Sequence, residues 1–119
     1  MTRQSDFEYV YEADRVGGVV FQIGARADPS TNNPESFAAI LFFQLADGSR
    51  IEVAKVDNSE HDEGEIHLDR FYRETGADIK DFQVPISNLW EAEDHLNEHA
   101  RTYGQTYLKN HGKGPRDEG

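Results

Sequence analysis

The segment Asp57 to Arg73 reads D-N-S-E-H-D-E-G-E-I-H-L-D-R-F-Y-R and gathers the side chains best suited to chemistry in this chain. Two of the five histidines, His61 and His67, lie here with Asp57, Asn58, Arg70 and Tyr72. Three readings fit these types. In the first, His61 and His67 act as acid and base on a phosphodiester. Arg70 or Arg73 then stabilises the developing charge, and Tyr72 positions the phosphate. In the second, Asp57, His61 and His67, with Glu65 as a further donor, hold zinc or manganese; the spacing matches no zinc signature. In the third the segment is structural. Asp57-Asn58 makes a side-chain-stabilised turn, and the histidines are ordinary polar partners to it. On a strand, His67 and Arg70 point to opposite faces, which counts against a single site.

A second pair, His95 and His99, stands at i,i+4 one turn after Glu91. That spacing can share a metal on a helix, but Leu96 occupies the place where a zinc-protease motif has glutamate. A solvated or boundary helix face is the plainer reading. Phe7, Tyr9 and Tyr11 could stack bases, although sheet core accounts for them more simply. Trp90 reads as a core anchor. No phosphate-binding glycine loop, nucleophile elbow or dinucleotide fingerprint is present.

The elements that must position these residues follow from periodicity. Phe7–Glu12 alternates, Gly17-Gly18 turns, and Val19–Ala25 returns, which predicts a hairpin. Asp28–Glu35 has loop composition. Ser36–Leu45 is apolar at nearly every position, as in a central strand buried on both faces. Asp47-Gly48 is a hairpin turn. In the return strand Arg50–Val56 the apolar residues switch parity after Val53, which predicts a bulge or a second partly buried face. A strand over 65–73 and an extended, Pro85-bearing segment Phe82–Ile86 follow. From Asn88 the period becomes helical, through Leu89, Ala92, Leu96, Ala100, Tyr103 and Tyr107. Asn88 caps the start, Gly112 stops the end, and Gly104 offers close packing. The fold class is α+β, an antiparallel β-meander of about five strands with one long C-terminal helix packed on one face. Residues 1–6 and 112–119 read as a flexible and a disordered tail around a single domain, 7–111. Because one helix covers only one face of Ser36–Leu45, a homodimer across the other is expected.

Composition narrows the rest. A chain of 119 residues is one domain with a modest core. No apolar run reaches the ~18 residues of a membrane span, and the first residues lack a signal-peptide core, so a cytoplasmic protein is expected. The absence of cysteine excludes disulfides and thiolate chemistry. Asp and Glu number 23 against 12 Lys and Arg, for a net charge of -11. Lysine stands only at positions 55, 80, 109 and 113. The acids spread over the whole chain and form no single block. That matches a salt-adapted, haloarchaeal-like cytosol, where the Debye length falls to ~3 Å and like charges scarcely repel. The competing reading is an acidic protein that mimics nucleic acid or binds a basic partner.

Over roughly residues 36–108 the chain resembles small prokaryotic proteins, some of them similar to TumE-type toxins of toxin–antitoxin pairs. The likeness is carried by Val56-Asp57-Asn58-Ser59-Glu60-His61, by Ile66-His67-Leu68-Asp69-Arg70-Phe71-Tyr72, and by the helix Trp90–Leu108. It implies a small sheet-plus-helix fold, a growth-inhibiting and RNA-directed activity, and an antitoxin-like protein partner. It transfers no catalytic residue and implies no cofactor. Asp62-Glu63-Gly64-Glu65 is more acidic than the group's usual turn, which would hinder RNA approach at low salt. The alternative class is a non-enzymatic dimeric protein-interaction domain.

Overall fold

The computed structural model describes residues 7–30, 33–58 and 66–116, with backbone alone for 29, 30 and 33–35. Among the described residues six strands follow in chain order: β1 (Tyr9–Val16), β2 (Val19–Ser30), β3 (Asn33–Gln44), β4 (Arg50–Asp57), β5 (His67–Asp69) and β6 (Lys80–Asp81). They form one antiparallel sheet whose spatial order is the sequence order, and a single helix, α1 (Leu89–His111), packs on it. The fold is the α+β meander expected, with one more strand.

The first hairpin closes through Gly17 and Gly18, whose φ angles of 57° and 80° are those a two-residue turn demands. Beyond it, β2 and β3 run further than composition suggests. Residues 28–30 and 33–35 of the expected Asp28–Glu35 loop are strand, with Asp28 opposite Ser36 and Ser30 opposite Asn33. Apolar pairs such as Ile23–Leu41 and Ala25–Ala39 fix the register, and the ladder propagates outward from them. The prolines fall beside a register irregularity after Asp28, where a missing N–H is tolerated.

Between β3 and β4 the register shifts, since Leu41 faces Ala54 and Phe42 faces Glu52. Val53 is the extra residue of a bulge. Ile51, Val53, Ala54 and Val56 therefore all join the helix-side core, which explains the parity switch in the sequence. The strand predicted over 65–73 is much shorter. It stops at Asp69 because the chain turns there: the Arg70 N–H bonds the Ile79 carbonyl at 2.8 Å, and Lys80–Asp81 returns as the short sixth strand.

Helix α1 begins as predicted. Asn88 Oδ1 accepts from the Glu91 N–H at 2.9 Å, which satisfies an orphan donor of the first turn, and Glu91 Oε1 accepts at 2.7 Å from the N–H of Ser87, just before the cap. Gly112, with φ 67°, ends it and returns its N–H to the Leu108 carbonyl. The apolar stripe from Leu89 to Tyr107 is buried on the sheet. A Cβ at Gly104 would lie 2.8 Å from the Phe21 ring, so this position lets helix and sheet approach closely. Past the helix, the Tyr107 hydroxyl donates to the Gly114 carbonyl at 2.8 Å. Arg116 donates to the Arg73 and Glu74 carbonyls, so residues 112–116 of the expected disordered tail are docked.

Three expectations change. Trp90 is 59% exposed and anchors no core. Leu89 and Ala92 take the sheet-facing positions of the first turn, and the ~100° step of a helix turns Trp90 outward. Phe7 does not share a face with Tyr9 and Tyr11. It crosses to the face away from the helix, lies over Gly24 and stacks on Phe42 at 5.5 Å. Tyr9 and Tyr11 stay on the helix side, only partly covered, and both donate to the Glu93 carboxylate. Finally, the far-side residues of β3, Ala38, Ile40 and Phe42, are buried within one chain, without the second copy that their apolar character predicts. Burial of β3 therefore supplies no ground for a homodimer.

Candidate functional site

On the face away from the helix, β4, β5 and β6 place five ionisable side chains in two adjacent rows. Asp57 stands opposite His67, while Lys55, Asp69 and Lys80 follow one another across three strands. Alternation along β4 and β5 puts Val56 and Leu68 on the helix side and leaves the polar residues here. His67 has 0% exposure, Asp57 1% and Asp69 3%. Charged groups are rarely buried so fully unless they are paired.

Lys80 is the hub of the cluster. Its ammonium lies 3.0 Å from Asp69 Oδ1 and 3.3 Å from His67 Nε2. An ammonium can only donate, so Nε2 accepts and the proton of a neutral ring sits on Nδ1. The 3.5 Å approach of Nε2 to Asp69 Oδ2 is then a neighbouring contact, with Lys80 bridging the two. Lys55 answers Asp57 at 3.6 Å, and the Phe82 ring lies against the imidazole with centroids 5.4 Å apart. Next to the cluster, Asn58 pins the end of the sheet: its Oδ1 accepts from the Phe37 N–H at 2.8 Å, and its N–H donates to the Phe37 carbonyl at 3.3 Å. Asn58 thus acts across the sheet on Phe37, 21 residues away, and the local turn expected of Asp57-Asn58 runs into residues outside those described.

The other members of the sequence-derived set go elsewhere. Arg70 spends its guanidinium on backbone, donating to the carbonyls of Ile79 at 3.0 Å, Asp78 at 3.3 Å and Lys80 at 3.2 Å. Arg73 likewise bonds the Asp78 carbonyl. Tyr72 lies on the helix side and stacks on Tyr103 with ring centroids 4.3 Å apart. The grouping of His67, Arg70 and Tyr72 in one catalytic site is therefore not what the fold assembles, because the chain turns after Asp69 and sends Tyr72 to the opposite layer. His61 and Glu65 lie outside the described residues. Of the metal set, Asp57 and His67 do meet across β4 and β5. Among the described residues, however, no three His, Asp or Glu side chains converge as metal ligands.

A second cluster lies under the helix. The rings of His95 and His99 stack at 4.3 Å, His95 Nε2 is 2.7 Å from the Tyr103 hydroxyl, and His99 Nδ1 is 2.8 Å from the His95 carbonyl. A metal pair would need both rings aimed at one point, whereas here they lie face to face. Burial, and then the neighbouring His99, hold the His95 pKa below its ordinary value, against the opposing pull of Glu98 and Asp81. Burial, and then Tyr72, hold the Tyr103 hydroxyl well above the usual phenol range. Tyr9 and Tyr11 are raised too, by burial first and then by Glu93.

Two of these features escape sequence reasoning. Lys80 sits on a two-residue edge strand that carries no periodicity. The aromatic stack joins Tyr72 to Tyr103 from a turn that reads as strand. The i, i+4, i+8 spacing of His95, His99 and Tyr103 does, however, announce half of that stack.

No curated protein and no solved structure matches this chain. A family model described as a domain of unknown function (DUF7718) matches residues 2–113, and the chain belongs to that family.

Proposed function

We propose that this protein is a non-enzymatic protein-interaction domain. The observation that carries the reading is the state of His67. It has no exposure, accepts from Lys80 and lies beside two carboxylates. A general acid or base must reach the proton it moves, and this ring faces protein on every side. Arg70, the charge stabiliser of the RNA-directed scheme, is committed to three carbonyls. The strongly acidic composition also repels RNA at ordinary salt.

A toxin-like component of a toxin–antitoxin pair, acting on RNA, is the second reading. One observation favours it: Asp57 and His67 face each other where β4 and β5 open into 59–65, the segment that carries His61. Expression of the wild type and of His61→Ala and His67→Ala variants in a bacterial host separates the two. The interaction reading expects no growth arrest and no RNA cleavage from any of them. Arrest by the wild type, lost in His61→Ala with circular dichroism unchanged, would establish the toxin reading in its place.

A further inference from the structure

Where the chain enters α1 it leaves an exposed surface that the fold does not use. A shallow cleft of about 220 Å³ is lined by Pro85 and Ile86 on the apolar side and by Glu91, Asp94 and Glu98 on the acidic side, with His95 between them on the helix. Trp90, 59% exposed, adjoins it on the same helix face, one turn before Asp94. Among the described residues neither Asp94 nor Glu98 forms an ion pair or accepts a side-chain hydrogen bond. Glu93 differs from them: it faces the sheet and is occupied by Tyr9 and Tyr11. The helix therefore separates a carboxylate that holds the fold together from carboxylates that face outward beside an indole.

We propose that this cleft docks an arginine-bearing segment of a partner protein. The chemistry of the surface selects that occupant. A guanidinium stacks on an indole face while its fork pairs with a carboxylate one helical turn away. Pro85 and Ile86 receive the apolar side chain next to it. A second copy of this chain is a poor occupant, because each copy carries a net charge of -11 and would bring acid to acid. The same field draws a basic partner in and speeds its encounter. This inference rests on the interaction reading and adds to it a surface and a partner class.

Trp90 is the one tryptophan of the chain, so the full-length protein reports on its own surface. The probe is a short synthetic peptide alternating arginine with leucine, titrated at low salt while Trp90 fluorescence is followed. A lysine–leucine and a glutamate–leucine peptide of equal length serve for comparison. Saturable binding of the arginine peptide is expected, weaker for lysine and absent for glutamate. The double variant Asp94→Asn/Glu98→Gln should weaken it at least about tenfold, a loss of about 1.4 kcal/mol. A double variant of equal charge change at Glu12 and Glu52, on the other side of the sheet, should bind nearly as the wild type does. If the arginine peptide gives no saturable signal, or if both double variants weaken it equally, the cleft is not the docking site. The RNA and growth measurements above are independent of this titration, so the interaction reading can stand while this surface falls.

Discussion

His67 is held by neighbours that cannot easily re-solvate when it is removed. In His67→Ala, Asp57 and Asp69 stay buried, Lys80 loses its contact with the imidazole, and a cavity opens under Phe82. The expected loss is about 2–4 kcal/mol of folding stability, the range for breaking a buried polar network. Urea denaturation should show it as a lower midpoint with an unchanged slope. His95 makes a different prediction. Its folded pKa lies below its ordinary value, chiefly through burial. The unfolded residue takes up its proton near pH 6.5, the folded one only at lower pH. Below about 6.5 the unfolded chain therefore binds more protons, and stability falls as pH drops through that window while remaining full above it. Melting curves between pH 8 and 5 should show this slope, and His95→Gln should flatten it. An equal slope in the variant would remove His95 as the cause.

At the scale of elements, the contact between α1 and the sheet turns on Gly104. Alanine there gains about 1 kcal/mol in helix propensity. Its Cβ, however, would sit 2.8 Å from a Phe21 ring that is itself fully buried and cannot swing away. Overpacking of a tight core costs about 1–3 kcal/mol, so Gly104→Ala should destabilise despite its better propensity. A higher thermal midpoint in that variant would mean that the helix rides further from β2. Elements set by long periodicity were legible in the sequence. The Gly17-Gly18 and Asp47-Gly48 turns, the bulge at Val53, and both ends of α1 all follow from residue type and spacing. The failures are local as well. The proline-containing ends of β2 and β3 pair because inner apolar residues fix the register, and β5 stops early because Arg70 finds carbonyl partners nine residues on. Neither cause can be seen in a window of a few residues. Of the candidate site, the nearness of Asp57 and His67 is legible from their places on either side of one turn, whereas their register, and Lys80 on its edge strand, carry no signal of their own.

For the whole molecule, charge and burial point the same way. Twenty-three acids against 12 bases leave a self-repelling surface, and salt relieves it. Raising KCl from about 0.1 M to about 2 M shortens the Debye length from ~10 Å to under ~3 Å. The thermal midpoint should then rise by at least about 5 °C, what roughly 1 kcal/mol is worth in a domain of this size. A flat or falling midpoint would detach the acidic composition from salt adaptation. The central claim is that Asp57, His67 and Asp69 are enclosed beneath Lys55 and the partly exposed Lys80 as part of the fold, and do not line an open active site. Diethylpyrocarbonate labelling of the native protein, read residue by residue by mass spectrometry, tests it most directly. His95, His99 and His111 are each partly exposed, while His67 is fully enclosed. Labelling of those three with His67 left unmodified until urea unfolds the chain is the predicted result. Modification of His67 in the native protein at a rate matching theirs would contradict it.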